Sequence, residues 1–244
     1  MRLVGIVCAL PAEARHLGPA SRQQAPISTL SDGTLLAVSG MGCAAAARGA
    51  RALLDAGATA LASWGLAGGL DPALAAGAIF LPSEIVGLDG ISVMTTPHWR
   101  ERLSAAVSAH HPVARGKLLT STRAIASVAD KAALFAQTGA AAVDMESLAV
   151  AQAAQARELP FIAVRVIIDG ACDALPAAVA AAADHAGHLR LWRLIFALTR
   201  SPAELAPLIR LARRYRAASR SLAALARVGS LAPHAFAGAP DVSP

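Results

Sequence analysis

The sequence is poor in aromatic residues and in cysteine. Phenylalanine, tryptophan and tyrosine together make up 4% of the 244 residues, and there are three cysteines. Cys8, Cys43 and Cys172 are odd in number and show neither CxxC nor zinc-ligand spacing. This pattern argues against a metal site and favours a reducing compartment. We therefore expect a cytoplasmic protein that holds no metal.

Long uncharged apolar runs are absent as well, although 55% of the residues are hydrophobic. The longest such run, residues 56–70, is interrupted by glycines and is shorter than the roughly 18 residues that a membrane-spanning helix needs. The opening segment "MRLVGIVCAL" is similar to a weak signal peptide, but it fits a buried first strand equally well. The charged residues Glu13 and Arg15 follow it directly. We predict a strand there and a protein that is soluble or peripheral rather than integral to a membrane.

Acidic residues are outnumbered, 16 against 22 lysines and arginines, and the net charge is +6. Arginines crowd between Arg190 and Arg227, a pattern typical of contact with nucleic acid, an anionic membrane or an acidic partner. Because aromatic residues are not interleaved with them, a stacking platform for single-stranded nucleic acid is disfavoured. The apolar residues of this segment recur at helical spacing, which fits an amphipathic helix on anionic lipid. A helix packed on its own domain with a solvated arginine face fits equally well.

Apolar strands alternate with helices along the chain. "LVGIVCA", "TLLAVSG", "ATALASWG" and "FIAVRVIID" are typical buried strands, and the helices between them begin near Pro11, Cys43, Arg100, Val128 and Asp144. This alternation predicts an α/β fold with helices on both faces of a mixed, mostly parallel, twisted sheet. We expect one α/β domain over residues 1–199, a basic amphipathic helical extension over 200–228 and a disordered tail over 229–244. From Asp169 to the end of the extension, the chain is expected to be helical.

Polar and glycine residues follow several of these strands at the ends where open α/β sheets bind ligands. The residues concerned are Glu13, Gly40, Gly42, Gly68 within "GLAGG", and Asp169. Glycines at strand ends usually form tight turns, or their amides line a pocket for an anion or a sugar. Asp169 lies four residues after Arg165 on one strand face, so an ion pair between the two is the plainest interpretation.

The segment "AAVDMESLAV" places two carboxylates around one methionine. Asp144 fits the N-cap of the following helix, and Glu146 fits a charge in its first turn. Residues two apart on a helix point to nearly opposite sides, so we expect at most one of the two acids to act chemically.

The order and spacing of five motifs resemble one enzyme superfamily. "GIVCALPAEA", "SGMG", "WGLAGGLDPALAAGAIFLPSE", "AVDMESLAVA" and "LPFIAVRVIIDGACD" are similar to successive motifs of the purine nucleoside phosphorylase and methylthioadenosine/S-adenosylhomocysteine nucleosidase superfamily. "VDMES", "GLAGGLDPAL" and the arginine-rich "LAPLIRLARRYRAASR" are closest to its hopanoid-associated phosphorylases. Those enzymes are thought to remove adenine from adenosylhopane, a lipid nucleoside.

This resemblance implies cleavage of an N-glycosidic bond and a role for individual residues. Asp169 matches the acid that protonates the leaving purine, and Glu13 matches the glutamate that activates water in the hydrolysing branch. Glu146 matches the carboxylate that binds the ribose hydroxyls, with Met145 against the sugar face and Arg165 beside the same hydroxyls or the nucleophile. The base pocket is expected to contain Ala124, Ile125 and Ile168. For Asp144, the interpretation as the N-cap of the following helix then remains.

The sequence departs from the hydrolases at several positions. Ile168 and Leu66 occupy positions at which the hydrolases carry serines, and Leu10 occupies a position at which a methionine usually lines the sugar pocket. The segment between Glu84 and Arg100 is shorter than in the nucleosidases, which implies a more open 5′ side of the ribose site. An open 5′ side suits a long lipid substituent.

The nucleophile stays open between water and phosphate. A buried Glu13 repels a phosphate dianion and can deprotonate water, whereas "SGMG" with Arg48 or Arg51 would suit a phosphate nest, lined by Gly40, Gly42 and Gly68.

No cofactor is implied beyond phosphate as a co-substrate. The expected partners are a small-molecule or lipid-linked adenine nucleoside and further copies of the chain, not nucleic acid, with peripheral membrane contact through the C-terminal helix. Alternatives are a methylthioadenosine/S-adenosylhomocysteine nucleosidase, a general purine nucleoside phosphorylase, and a non-catalytic lipid-binding protein of the same fold.

Overall fold

The computed structural model of the chain describes residues 3–24, 27–108, 111–175 and 205–228, together with residue 231. Twelve strands lie in these ranges, and all of them join one sheet. In chain order they are β1 (Val4–Cys8), β2 (Ala20–Gln24), β3 (Ile27–Leu30), β4 (Leu35–Val38), β5 (Ala60–Gly69), β6 (Ile79–Phe80), β7 (Glu84–Gly87), β8 (Ser92–Met94), β9 (Val113–Ala114), β10 (Lys117–Thr120), β11 (Ala140–Asp144) and β12 (Phe161–Asp169).

Helices connect the strands on both faces of the sheet. In chain order they are α1 (Pro11–Ala14), which continues as a 3-10 turn over Arg15–Leu17, α2 (Cys43–Asp55), α3 (Pro97–Ser108), α4 (Val128–Thr138), α5 (Ser147–Gln155) and α6 (Leu205–Arg227). Several begin where the sequence predicts: α1 has Pro11 at its first position, and the Ser127 side chain caps α4 by accepting the Asp130 amide.

The sheet is mixed and runs in the order β2-β3-β4-β1-β5-β11-β10-β7-β8. Strand β1 pairs in parallel with β4 and β5, β5 pairs in parallel with β12, and β10 pairs in parallel with β7 and β11. The end of β5 also pairs with β11, in antiparallel fashion. The predicted α/β fold with a mixed sheet flanked by helices is therefore confirmed.

The long strand β5 differs from its predicted extent. The "GLAGG" segment was expected to be a turn after the strand, but it continues β5 up to Gly69 and pairs with both β12 and β11. Gly69 lies so close to β12 that an added Cβ would stand 3.2 Å from the carbonyl oxygen of Asp169. The glycines thus allow two backbones to approach, which brings the ends of three strands together.

Two apolar clusters cover the two faces of the sheet. One contains Val7, Leu53 and Phe161 and packs under α2 and α5, and the other contains Trp64 and Val166 and packs under α3 and α6. Because both faces are covered, β1, β5 and β12 are nearly continuous apolar runs, as the sequence indicates.

Helix α6 packs on the domain with one face. Ala218, Leu222 and Leu225 are buried within the cluster that contains Val166, and the Ser221 hydroxyl donates to the carbonyl of Gly77 at 2.8 Å. The arginines Arg210, Arg213, Arg216, Arg220 and Arg227 stay exposed. The helical extension is therefore present and docked through its apolar side.

Other predictions after Asp169 meet the structure only in part. Residues 170–175 form a turn and irregular chain, so the expectation that helix begins directly after Asp169 is wrong for them. Residues 176–204 and the segments 229–230 and 232–244, including the predicted helix start at Ser201 and the predicted disordered tail, lie outside the described residues.

Candidate active site

A cavity of about 230 Å³ opens at the carboxyl ends of β1, β5 and β12. Its position agrees with the general placement of ligands in open α/β sheets. It is lined by Ala9, Leu10, Glu13, Met41, Leu66, Ala67, Gly68, Arg123, Ala124, Ile125, Val143, Asp144, Met145, Glu146, Ile168, Asp169 and Leu175. The wall is thus mostly apolar and carries four carboxyl groups.

Glu13 is fixed by backbone amides from two elements. Its Oε2 accepts a hydrogen bond from the amide of Leu10 at 3.0 Å, and this bond caps α1. Its Oε1 accepts a hydrogen bond from the amide of Leu66 in β5 at 3.0 Å. A Cβ at Gly65 would stand 2.7 Å from Oε1, so only glycine leaves room for the carboxyl group. Burial raises the pKa of Glu13, while Arg165 and the amide donors oppose the rise. The carboxyl group is therefore held in place and is easier to protonate than a solvated glutamate.

Glu146 stands immediately before α5 and reaches across to the segment after β4. Its Oε1 accepts the amide of Gly42 at 2.7 Å, and its Oε2 accepts the amide of Met145 at 3.3 Å. Gly42 has a φ of 90°, a conformation in which glycine is favoured, and this turns its amide towards the carboxyl group. Burial, reinforced by the neighbouring Asp144, raises the pKa of Glu146 to about 7.

Asp144 belongs to a buried network rather than acting alone. Its Oδ2 accepts Nε and Nη2 of Arg165 at 3.0 and 2.7 Å and the amide of Ser147 at 3.1 Å. Its Oδ1 accepts the hydroxyl of Thr120 at 2.7 Å. The bond to Ser147 is of the kind expected of a residue that caps α5, although the residue directly before the helix is Glu146.

Arg165 is nearly fully buried, at 2% exposure, and does not line the cavity. Besides Asp144, its Nη2 donates to the hydroxyls of Ser63 and Ser147 at 2.6 and 2.8 Å. The sequence-based interpretation of an Arg165–Asp169 ion pair is wrong, because each residue has another partner. The guanidinium group lies behind the wall that Asp144 and Glu146 form.

Asp169 closes β12 and forms a buried ion pair with Lys131 of α4. The ammonium group of Lys131 also donates to the carbonyls of Gly170 and Asp173, at 2.8 and 2.9 Å. Burial raises the pKa of Asp169, and Lys131 is the largest opposing influence. Lys131 was missed in the sequence, although a lysine in an arginine-dominated chain, on a largely apolar helix, was a usable signal.

The predicted base-pocket residues Ala124, Ile125 and Ile168 all line the cavity, and so do Met145 and Gly68. Further lining residues were not assigned to the cavity from the sequence, and they include Met41, Arg123, Val143 and Leu175.

The expected phosphate nest is not formed by the two glycines after β4. The amide of Gly40 donates to the carbonyl of Ala9 at 3.1 Å, and the amide of Gly42 is taken by Glu146. Neither glycine is among the cavity-lining residues. Arg48 and Arg51 lie exposed on α2 and do not line the cavity either.

Within residues 3–24, 27–108, 111–175 and 205–228, no group of three or more histidine, cysteine or acidic side chains is arranged to hold a metal ion. No helix in that same part of the chain combines the length and the apolar character required to cross a membrane.

Comparisons with known proteins agree with this architecture. The nucleosidase of Neisseria meningitidis, solved in complex with methylthio-immucillin-A, superposes with a TM-score of 0.70 at 19% identity, covering 94% of this chain and 99% of that one. The 5′-methylthioadenosine/S-adenosylhomocysteine nucleosidase of Campylobacter jejuni gives 0.65 at 18% identity, covering 70% and 87%. Futalosine hydrolase of Helicobacter pylori gives 0.64 at 17% identity, covering 87% and 97%.

At these identities the likeness shows the shared fold. No curated protein matches the sequence. The model of the phosphorylase superfamily, however, matches residues 4–195, most of the chain, and the prediction of an enzyme of this superfamily is confirmed. The chain belongs to the phosphorylase superfamily.

Proposed function

We propose that this protein cleaves the N-glycosidic bond of an adenine nucleoside and releases adenine. The observation that carries the proposal is the convergence of Glu13, Glu146 and Asp169 on one mostly apolar cavity. Buried carboxyl groups are costly to keep without a use, and all three have a raised pKa because of burial. The complex of the Neisseria meningitidis nucleosidase with methylthio-immucillin-A supports a nucleoside-like ligand for this fold.

The leaving purine needs an acid. Rupture of a ribosyl C–N bond passes through an oxocarbenium-like sugar, and the departing base must have its developing negative charge protonated. In our proposal Asp169 donates that proton towards N7 of the purine and accepts from its exocyclic amine. Ala124, Ile125 and Ile168 surround the base with apolar atoms, and burial keeps the pKa of Asp169 above its ordinary value.

The sugar is assigned to Glu146 and Met145. A carboxylate that accepts from the 2′ and 3′ hydroxyls holds the ribose and stabilises the positive charge that develops on it. Glu146 is itself anchored by the amide of Gly42, so its position is set before substrate arrives. Arg165 acts through Asp144, since its guanidinium group is bonded to that carboxylate and to two serine hydroxyls.

Water is the nucleophile that the geometry favours, with phosphate as the alternative. A carboxyl group at Glu13 can take a proton from water, whereas it repels a phosphate dianion. The amides of Gly40 and Gly42 are already bonded, and Arg123 is the only arginine among the lining residues that the structure describes. Hydrolysis to adenine and a free sugar is therefore our first candidate, and phosphorolysis is the second.

For the substrate we propose adenosylhopane, on the likeness of "VDMES", "GLAGGLDPAL" and the arginine-rich helix to hopanoid-associated phosphorylases. Methylthioadenosine and S-adenosylhomocysteine are the alternative, favoured by the fold of the Neisseria meningitidis and Campylobacter jejuni nucleosidases. We further propose a cytoplasmic homo-oligomer that contacts the inner membrane face through the exposed arginines of α6. In the non-catalytic alternative, the same cavity would bind the nucleoside without turnover.

Product analysis tests the proposal. The purified protein is incubated with adenosine, methylthioadenosine and adenosylhopane in vesicles, each with and without phosphate, and the products are identified by mass spectrometry. We expect adenine and a free sugar without phosphate, and an Asp169→Asn variant that has lost most of this activity. Glu84→Gln, which changes a carboxylate outside the cavity, is the matched control and should remain active. Tight nucleoside binding without any adenine release would favour the binding-protein alternative.

A further inference from the structure

Lys131 is the most buried residue of α4. Its side chain has no exposed surface, whereas Leu134 and Phe135 of the same helix are only partly buried. Burying an ammonium group is costly unless partners compensate for the lost water. Such a placement, with the apolar residues of the helix more exposed than the charged one, indicates a specific task for the lysine.

All three donors of the ammonium group are in use. One goes to Oδ2 of Asp169, and the others go to the carbonyls of Gly170 and Asp173. The Asp173 side chain in turn accepts the amide of Gly170 at 3.0 Å and pairs with Arg214 of α6. Lys131 therefore ties the last residue of β12 to the turn that follows it, and through that turn to α6.

The two oxygens of Asp169 have different surroundings. Oδ2 is bonded to Lys131, while Oδ1 makes no hydrogen bond within the described part of the protein. Asp169 lines the cavity, and an added Cβ at Gly68 would stand 3.5 Å from Oδ1 and 3.8 Å from Oδ2, so the carboxyl group lies against this part of the wall. Oδ2 is thus held by Lys131, whereas Oδ1 has no hydrogen-bond partner among the residues that the structure describes.

We propose that Lys131 is the positioning residue of this site, which holds Oδ2 so that Oδ1 of Asp169 faces the leaving base, and which stabilises the carboxylate formed there. The acid role of Asp169 rests on the proposed function. As the bond between C1′ and the base nitrogen breaks, its electron pair passes into the purine, and the proton on Oδ1 moves to a purine nitrogen. The carboxylate that remains is paired with Lys131, and solvent returns the proton after the base has left.

The charge of Lys131 makes Asp169 a stronger acid than its burial alone would allow. Burial raises the pKa of Asp169, and Asp173 adds to the rise, whereas Lys131 and, more weakly, Arg214 lower it. Among the described residues, Lys131, Asp173 and Arg214 are the charged groups with the largest effect on Asp169. The charged residues that line the same cavity are Glu13, Arg123, Asp144 and Glu146. Removing the ammonium group raises the pKa of Asp169 further, so the acid stays protonated up to a higher pH but gives up its proton less readily.

The test compares Lys131→Met with Lys131→Arg in the full chain. Activity should fall as the pH rises through the pKa of Asp169. In Lys131→Met we expect this alkaline limb to move to higher pH by roughly one unit or more, and kcat on the plateau to fall by about 10²-fold, within the range for acid–base catalysis. KM should change much less. Lys131→Arg keeps the charge and should leave the limb near its wild-type position.

A lysine that only held the fold together would give a different result. Lys131→Met would then lose activity with its alkaline limb unmoved, and this outcome overturns the proposal. If Lys131→Met does not fold, the double variant Lys131→Gln/Asp169→Asn takes its place. It removes both charges of the buried pair and should fold. Restored activity in that double variant would also overturn the proposal, because it lacks the acid.

A second measurement does not depend on turnover. The pKa of Asp169 is measured by ¹³C NMR of the aspartate carboxyl carbons in the wild type and in Lys131→Met, with Asp169→Asn for assignment. A higher pKa in Lys131→Met supports the coupling even if no nucleoside is cleaved, in which case the proposed function fails on its own. Equal pKa values in the two proteins would overturn the proposal whatever the activity.

Discussion

Arg165 donates two hydrogen bonds to one oxygen of Asp144, from Nε at 3.0 Å and from Nη2 at 2.7 Å to Oδ2. The same Nη2 reaches the hydroxyls of Ser63 and Ser147. One guanidinium group therefore joins β12, β11, β5 and the start of α5 beneath the cavity. Both charged groups are almost entirely removed from water, with side-chain exposures of 2% and 1%.

Replacing Arg165 with methionine should destabilise the protein strongly. The change leaves the Asp144 carboxylate buried without its cation, and breaking a buried pair in this way costs about 3–5 kcal/mol. Urea denaturation followed by circular dichroism measures the loss. Lys117→Met is the matched control, because it breaks the partly exposed pair with Glu84, at 3.4 Å, and should cost less than about 1 kcal/mol. Similar losses in the two variants would contradict the structural role of Arg165.

The raised pKa of Glu146 predicts a pH-dependent stability difference. The pKa rises from 4.5 in the unfolded reference to about 7 in the folded protein, so this group favours the folded state below pH 4.5. That contribution is lost as the pH rises through about 7. Glu146→Gln mimics the protonated form and avoids the loss, so the variant should match the wild type at low pH. It should exceed the wild type above pH 7 by up to roughly 3 kcal/mol.

Chemical denaturation of both proteins between pH 4 and pH 8 checks this expectation. Glu84→Gln serves as the control, since its carboxylate lies outside the cavity, and its difference from the wild type should vary little with pH. Parallel stability curves for Glu146→Gln and the wild type would show that the Glu146 carboxyl group is not perturbed. The same variant should bind the ribose hydroxyls less well, which appears as a higher KM.

Much of the site was predictable because it lies at the ends of strands with clear apolar patterns. β1 is an apolar run and β12 is one that only Arg165 interrupts before its terminal aspartate, so their ends place Glu13 and Asp169 correctly on one edge of the sheet. The partner of Asp169 was not predictable in this way. Lys131 lies 38 residues earlier, in helix α4, and the contact depends on how α4 packs rather than on any local spacing.

Other misses have similar physical causes. β11 has the sequence "AAAVD", whose alanines carry no strand preference, and it is a strand because β5 and β10 enclose it. The hairpin of β2 and β3 lies at the sheet edge and lacks the apolar pattern of a buried strand. The Arg165–Asp169 spacing suggested a pair within one strand, but the network around Asp144 offers Arg165 more hydrogen bonds.

Glu13→Gln should separate the two candidate nucleophiles. A glutamine cannot take a proton from water, so adenine release without phosphate should fall by about 10²- to 10⁴-fold. The uncharged side chain also removes the repulsion of a phosphate dianion. If phosphate is the true co-substrate, the variant should instead keep or gain phosphate-dependent activity. Measuring adenine release with and without phosphate in both proteins distinguishes these results.

Gly65→Ala should impair the same reaction without touching a carboxylate. The new Cβ would stand 2.7 Å from Oε1 of Glu13, so the carboxyl group must leave the amide of Leu66. We expect at least a tenfold loss of kcat with cooperative unfolding retained. The control is a double-mutant cycle with Glu13→Ala, in which adding Gly65→Ala should change little because the displaced group is already gone. Additive losses would mean that Gly65 acts elsewhere.

The exposed face of α6 can be tested without disturbing its packed face. Arg213, Arg216 and Arg220 point to solvent, whereas Leu222 and Leu225 hold the helix on the sheet. Changing the three arginines to glutamine should leave the free energy of unfolding and the cleavage of soluble nucleosides unchanged. Each arginine near an anionic surface contributes about 1 kcal/mol, so the affinity for anionic vesicles, measured by sedimentation, should fall by roughly 10²-fold.

The control variant Arg48→Gln/Arg51→Gln removes exposed arginines from α2 and should bind like the wild type. Unchanged vesicle binding by the α6 variant would leave the helix with a packing role alone, because the charge that attracts the membrane would then lie elsewhere.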